Sequence, residues 1–119
     1  MKIIKKGTLF IDSIRNFTES IDFKLPLDFL EFYKETNSAE IYTDSGSYIV
    51  LWKLDDLLEL NTQYKVNEYA PEYFIFGSDG GNEAYCIQKL TGNIYQMPFI
   101  GMSNEDVLFI CETLLELFN

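Results

Sequence analysis

Asp79, Asn82 and Glu83 crowd around Gly80-Gly81, and here oxygen-bearing side chains gather at a spacing that invites chemistry. Asp79 and Glu83, four residues apart across a turn, suggest either paired carboxylates for acid–base work or oxygen ligands for a metal ion. Neither pattern is complete. A calcium loop of the EF-hand type needs oxygen ligands at alternating positions and a distant closing glutamate, and Ser78–Ala84 has no such series. No Gly-Lys-Ser/Thr follows the glycines and the next element reads as a strand, so no phosphate cradle is built. Two readings of the loop stay open: a small acidic binding site made by Asp79, Asn82 and Glu83, or a plain β-turn, the commoner meaning of Asp-Gly between strands.

Histidine is absent. That removes the usual general base, the commonest metal ligand and every Ser-His or Cys-His nucleophile pair. Cys86 and Cys111 read as small buried core residues, one on a strand and one on the inner face of a helix. A disulfide between them is possible in principle, but no leader segment is expected and a reducing cytoplasm would keep them as free thiols. No catalytic residue, metal ligand or cofactor site is therefore assigned.

Nine basic against nineteen acidic residues leave a net charge of −10 and a pI near 4.3. Such a field repels nucleic acid, and the few lysines form no stripe that could track phosphates. It attracts basic partners and speeds their encounter at low salt. No apolar run approaches the length of a membrane span.

The elements that hold the loop can be read around it. Phe74–Ile87 is two β-favouring runs joined by turn formers, a hairpin in which Gly77, Gly80 and Gly81 are the structural turn positions: Asp79-Gly80 suits a turn of positive φ, and Gly77 and Gly81 let the backbone bend or approach a neighbour. Upstream, Met1–Lys6 reads as an edge strand or an ordered tail. Ile11, Ile14, Phe17 and Ile21 recur at helical spacing. Pro26 at a first helical position opens a second helix, broad-faced through Phe29, Leu30, Phe32 and Tyr33, which Asn37 stops. Glu40–Thr43 and Ser47–Trp52 form another hairpin around Asp44-Ser45-Gly46, with the second strand apolar on both faces. Leu54–Leu60 is an amphipathic helix with Asp55, Asp56 and Glu59 outward; residues 61–72 read as loop. Thr91-Gly92-Asn93 is a third turn, before a strand Ile94–Met97. Ser103 caps a final helix to Phe118, with Val107, Ile110, Cys111, Leu114, Leu115 and Phe118 inward and Phe109 outward. The whole is an α+β fold in one domain spanning 1–119: an antiparallel meander sheet, helices packed against it, and a C-terminal helix sealing the core.

Leu25-Pro26 followed by Phe29 and Phe32, Asn37 near a helix end, and above all Phe76-Gly77-Ser78-Asp79-Gly80-Gly81-Asn82-Glu83-Ala84-Tyr85 with Ile94-Tyr95 after it resemble the SUKH superfamily. The resemblance spans roughly Leu25 to Phe118. The chain departs from the common pattern at Asn82, where a further glycine is usual, and at Asn37-Ser38, where Asn-Gly is usual. Eukaryotic founders of that superfamily regulate fungal cell-wall synthesis, and many bacterial members resemble or serve as immunity proteins against polymorphic toxins, often nucleases. The resemblance implies an α+β fold and a binding rather than a catalytic role, with a protein partner; the charge and the lack of a long apolar run add the expectation of a cytoplasmic protein that binds neither nucleic acid nor membrane. A basic toxin domain suits the charge, and the exposed carboxylates Asp55, Asp56, Glu59, Asp79 and Glu83 are the expected partner-binding residues. The alternative is a regulatory or scaffold module that holds a cellular protein or a small ligand at the hairpin cleft.

Overall fold

Strand-forming segments separated by short turns have one economical solution, an antiparallel meander, and that is what the chain adopts. The computed structural model describes residues 1–7 and 11–119, the side chain of Ile11 excepted, so that residue's place on the apolar face of the first helix lies outside the description. The elements are β1 (Lys2–Lys6), α1 (Ile11–Ser20), α2 (Leu27–Glu35), β2 (Ser38–Tyr42), β3 (Tyr48–Leu51), α3 (Leu54–Gln63), α4 (Val66–Tyr69), β4 (Tyr73–Ser78), β5 (Glu83–Gln88), β6 (Ile94–Pro98), β7 (Leu108–Cys111) and α5 (Leu114–Phe118). Among the described residues seven strands stand side by side in chain order, every neighbouring pair antiparallel.

Strand β4 is the centre, buried at every position from Tyr73 to Ser78. Its period-two alternation sends Phe74 and Phe76 to one face and Tyr73 and Ile75 to the other. The first face carries the main core. There α1, α2, α5 and the start of α3 lay Phe17, Phe29, Phe32, Tyr33, Leu54, Leu57, Leu114 and Phe118 onto the sheet. Rings meet edge to face, Phe29 on Phe76 at 4.8 Å and Phe32 on Phe118 at 5.3 Å, the arrangement their quadrupoles favour. The second face has a smaller core, where Val66, Ala70 and Met102 cover Ile75, Cys86 and Met97.

Four readings of the sequence are corrected. The final helix over 103–118 is instead a turn, the edge strand β7 and the short helix α5. Ser103 does accept a hydrogen bond from the Asp106 amide at 3.0 Å, as a cap would, but no helix propagates from it. The segment pairs with β6 in its place, Leu108 opposite Gln96 and Phe109 opposite Tyr95. Cys111 consequently ends a strand and is not on a helix. Helix α5 still closes the main core through Leu114, Leu117 and Phe118. Second, residues 61–72 are not all loop, since α3 runs to Gln63 and α4 follows. Third, β3 is covered on one face only: Ile49 and Leu51 are buried, while Tyr48 and Val50 are half-buried. Last, Pro26 sits one residue ahead of α2 as its cap position, and Thr36 ends that helix rather than Asn37.

Candidate docking surface

The Gly77–Gly81 turn is built by sterics first. A Cβ on Gly77 would lie 2.3 Å from the Val50 carbonyl oxygen, so only glycine lets β4 approach β3 there. Between Ile75 and Gly77 the register with β5 slips by one residue, a bulge that twists the hairpin. Gly80 has φ of +84°, the left-handed conformation expected of one of the two turn glycines. It rests on the Tyr48 ring, which a Cβ would meet at 2.9 Å. Tyr48 in turn is fixed from below, donating its hydroxyl to Glu40 at 2.5 Å and lying 5.0 Å from the Tyr42 ring. That hydrogen bond, followed by one from Lys6, holds the Glu40 carboxyl below its usual range and pushes the Tyr48 phenol up to about 12.

Asp79 spends one oxygen on the turn itself. Its Oδ1 accepts from the Gly81 amide at 2.8 Å and from the Glu83 amide at 3.3 Å, an Asx-type closure. Glu83 follows on the first position of β5, half-buried and opposite Pro98. Its pKa is raised by burial, and further by the negative charges of Asp79 and Asp106. Asn82 is exposed and contributes its backbone carbonyl, which accepts from the Phe99 amide at 3.0 Å. Among the described residues no group of three or more histidines, cysteines, aspartates or glutamates is placed to hold a metal ion.

Two open recesses lie beside this loop and share Gln96. The larger, about 540 Å³, is lined by Thr43, Ser45 and Ser47 of the β2–β3 turn, by Asp79 and Tyr85, and by Ile110 and Glu116. The smaller, about 130 Å³, is lined by Glu83, Asp106, Val107 and Leu108. Together they make a surface lined by apolar, hydroxyl and carboxylate groups. The sequence singles out Asp79 and Glu83; Asp106 and Glu116, which line the same two recesses, carry no such signal. The spacing of residues 103–118 predicts a single long helix for both, and only the β6–β7 pairing brings their segment to the hairpin.

The second predicted trio lies elsewhere. Asp55, Asp56 and Glu59 are exposed on α3, where the two aspartates also occupy the first turn and favour the helix dipole. Asp55 borders a different groove, shared with Ser13, Asn16 and Ser20 of α1.

The charge is unevenly divided. Residues 1–53 carry seven basic and eight acidic side chains; residues 54–119 carry two basic and eleven acidic. Every carboxylate in a described salt bridge belongs to the first group: Asp12, Asp22, Glu31, Glu35, Glu40 and Asp44. The acidic side chains around the hairpin and β7 thus have no described ion-pair partner. In both thiols burial raises the pKa, that of Cys111 to about 11, and both are free. Among the described residues no helix is long and apolar enough to cross a membrane.

The model of the SMI1 / KNR4 family (SUKH-1) matches residues 11–119, nearly the whole chain. No curated protein matches the chain significantly.

Proposed function

Since the chain belongs to the SMI1 / KNR4 family (SUKH-1), we propose that it is a non-catalytic binding protein of the immunity type, which neutralises a cognate bacterial toxin in the cytoplasm by covering a basic surface of that toxin. Many bacterial members of the superfamily have this role, and nucleases, whose substrate-binding clefts must be basic to hold nucleic acid, are frequent targets. The observation that carries the reading is the charge division: almost the entire net charge of −10 belongs to residues 54–119. Asp79 and Glu83, with Asp106 and Glu116 beside them, form one half of the proposed docking surface; Asp55, Asp56 and Glu59 on α3 form a second, separate patch. Neither needs a cofactor. Exposed carboxylates of this kind steer a basic partner into encounter, while burial of aromatic and aliphatic groups slows its departure.

The test is genetic and cheap. Co-expression of this protein with the toxin encoded by the neighbouring reading frame should restore growth, and the two proteins should co-purify. Failure both to bind and to protect would refute the proposal.

The recess of about 540 Å³ beside Asp79 supports a second reading, a regulatory module that binds a cellular protein or small cationic ligand there. A solitary gene and an unrelated partner recovered from cells would favour it over immunity.

A further inference from the structure

The two edges of the sheet are finished differently. Strand β1, at one end, reads Lys-Ile-Ile-Lys-Lys and so bears three lysines, the usual device that keeps an edge from pairing with another chain. Strand β7, at the other end, reads Leu-Phe-Ile-Cys and bears no charge. Among the described residues its outer side pairs with no strand. Leu108 is 63% exposed and Phe109 49%, on opposite faces of the strand, and Phe109 is held in place edge-on against Tyr95 at 5.5 Å. Glu105 and Asp106 precede the strand and Glu112 follows it, and no basic residue occurs after Lys89.

We propose that β7 is an open docking edge which receives an extended, lysine- or arginine-bearing segment of the partner protein as an eighth strand. Backbone hydrogen bonds would supply the pairing, Leu108 and Phe109 the apolar contacts on the two faces, and the flanking carboxylates the preference for basic side chains. The recess lined by Glu83, Asp106 and Leu108 lies beside the start of β7, where it can take one cationic side chain of such a strand. Charge decides against a second copy of this chain as occupant. Two β7 edges laid together would oppose acidic flanks without a single cation between them, and like charges facing across strands destabilise pairing. The strand is four residues long, so the added segment is short.

This inference rests on the reading of a basic protein partner, and the experiment separates the two. The probe is a short synthetic peptide alternating lysine and valine, compared with the same peptide N-methylated at alternate residues. Amide hydrogen exchange is followed along the whole protein. Slower exchange at Leu108–Cys111 with the plain peptide, about tenfold weaker binding of the methylated one, and loss of protection in Phe109→Lys and in Leu108→Lys are expected. Equal binding of both peptides, or protection absent from β7, would overturn the proposal. So would a dimer in sedimentation that Phe109→Lys dissociates, since the edge would then serve self-pairing. In the growth assay, full protection by a folded Phe109→Lys protein overturns the edge alone, whereas failure of the wild-type protein to protect overturns the immunity reading itself.

Discussion

The side chain of Asn61 completes the backbone of Ile75: its Nδ2 donates to the Ile75 carbonyl at 2.9 Å, and its Oδ1 accepts from the Ile75 amide at 2.9 Å. Strand β3 pairs with β4 as far as Leu51 opposite Gly77, with one further bond from the Trp52 amide to the Phe76 carbonyl at 3.1 Å, and the chain then turns away into α3. The central strand would otherwise have an unpaired stretch in the interior, where unsatisfied peptide groups are costly. An amide on the third turn of α3 therefore acts as a one-residue strand. Replacing Asn61 with Ala should destabilise the fold by about 2–3 kcal/mol, since both Ile75 groups lose their partner. Asn61→Asp keeps only the acceptor and should not restore stability. Urea midpoints of the two variants check this, and an unchanged midpoint for Asn61→Ala would refute the role.

The hairpin glycines should rank by what surrounds them. Gly77→Ala forces a Cβ onto the Val50 carbonyl and should cost about 3 kcal/mol. Gly80→Ala combines positive φ with the Tyr48 ring and should cost about 1–2 kcal/mol. At Gly81 the nearest atom to an added Cβ is Asp79 Oδ1 at 3.5 Å, so Gly81→Ala should stay within about 0.5 kcal/mol of wild type. Thermal melts of the three variants give the order directly.

Glu83 gives a pH signature. Burial and the charges of Asp79 and Asp106 raise its pKa in the folded protein, so between the ordinary glutamate pKa and the raised one the folded state holds more proton than the unfolded. Stability from this group is present at acid pH and falls as pH rises through that window. Glu83→Gln removes the effect. The variant should be at least as stable as wild type at neutral pH, and its advantage should shrink on acidification below the ordinary carboxylate range. Denaturation midpoints across pH test the sign.

Much of this architecture was legible in local pattern. The turn at Asp79-Gly80, the β-favouring runs on either side of it and the α1–α3 periodicities depend on neighbours in sequence, and these elements stand where the pattern puts them, within about three residues. The C-terminal segment was not legible. Ser103, the acidic residues after it and the apolar spacing through Val107, Ile110 and Cys111 satisfy a helical template, yet Leu108–Cys111 gains more by extending β6 over Ile94–Gln96. Long-range pairing won over local periodicity, and it is what places an uncharged strand at the sheet's edge and Asp106 near Glu83. The contact between Asp28 and α5 was equally invisible: its Oδ2 accepts from the Leu114 amide at 2.6 Å, across a sequence separation of 86 residues.

The thiols should resist modification. Cys86 is fully buried with its pKa raised by burial, and Cys111 is raised to about 11 by the same cause. Their thiolate fractions at neutral pH are therefore small, and labelling of the native protein by a disulfide reagent should proceed only as fast as the structure opens. Rapid labelling of both before any unfolding would contradict this.

Recruitment of a basic toxin by the acidic surface is tested most directly by association kinetics with the toxin encoded beside the gene. Charge reversal by Asp79→Lys with Glu83→Lys should slow association about tenfold or more at low salt, and the gap from wild type should close as salt is raised. The α3 pair Asp55→Lys with Glu59→Lys, measured alongside, reports whether the second patch shares in steering. If folded proteins of both pairs associate at the wild-type rate at low salt, the acidic surfaces serve solubility alone and the account of docking fails.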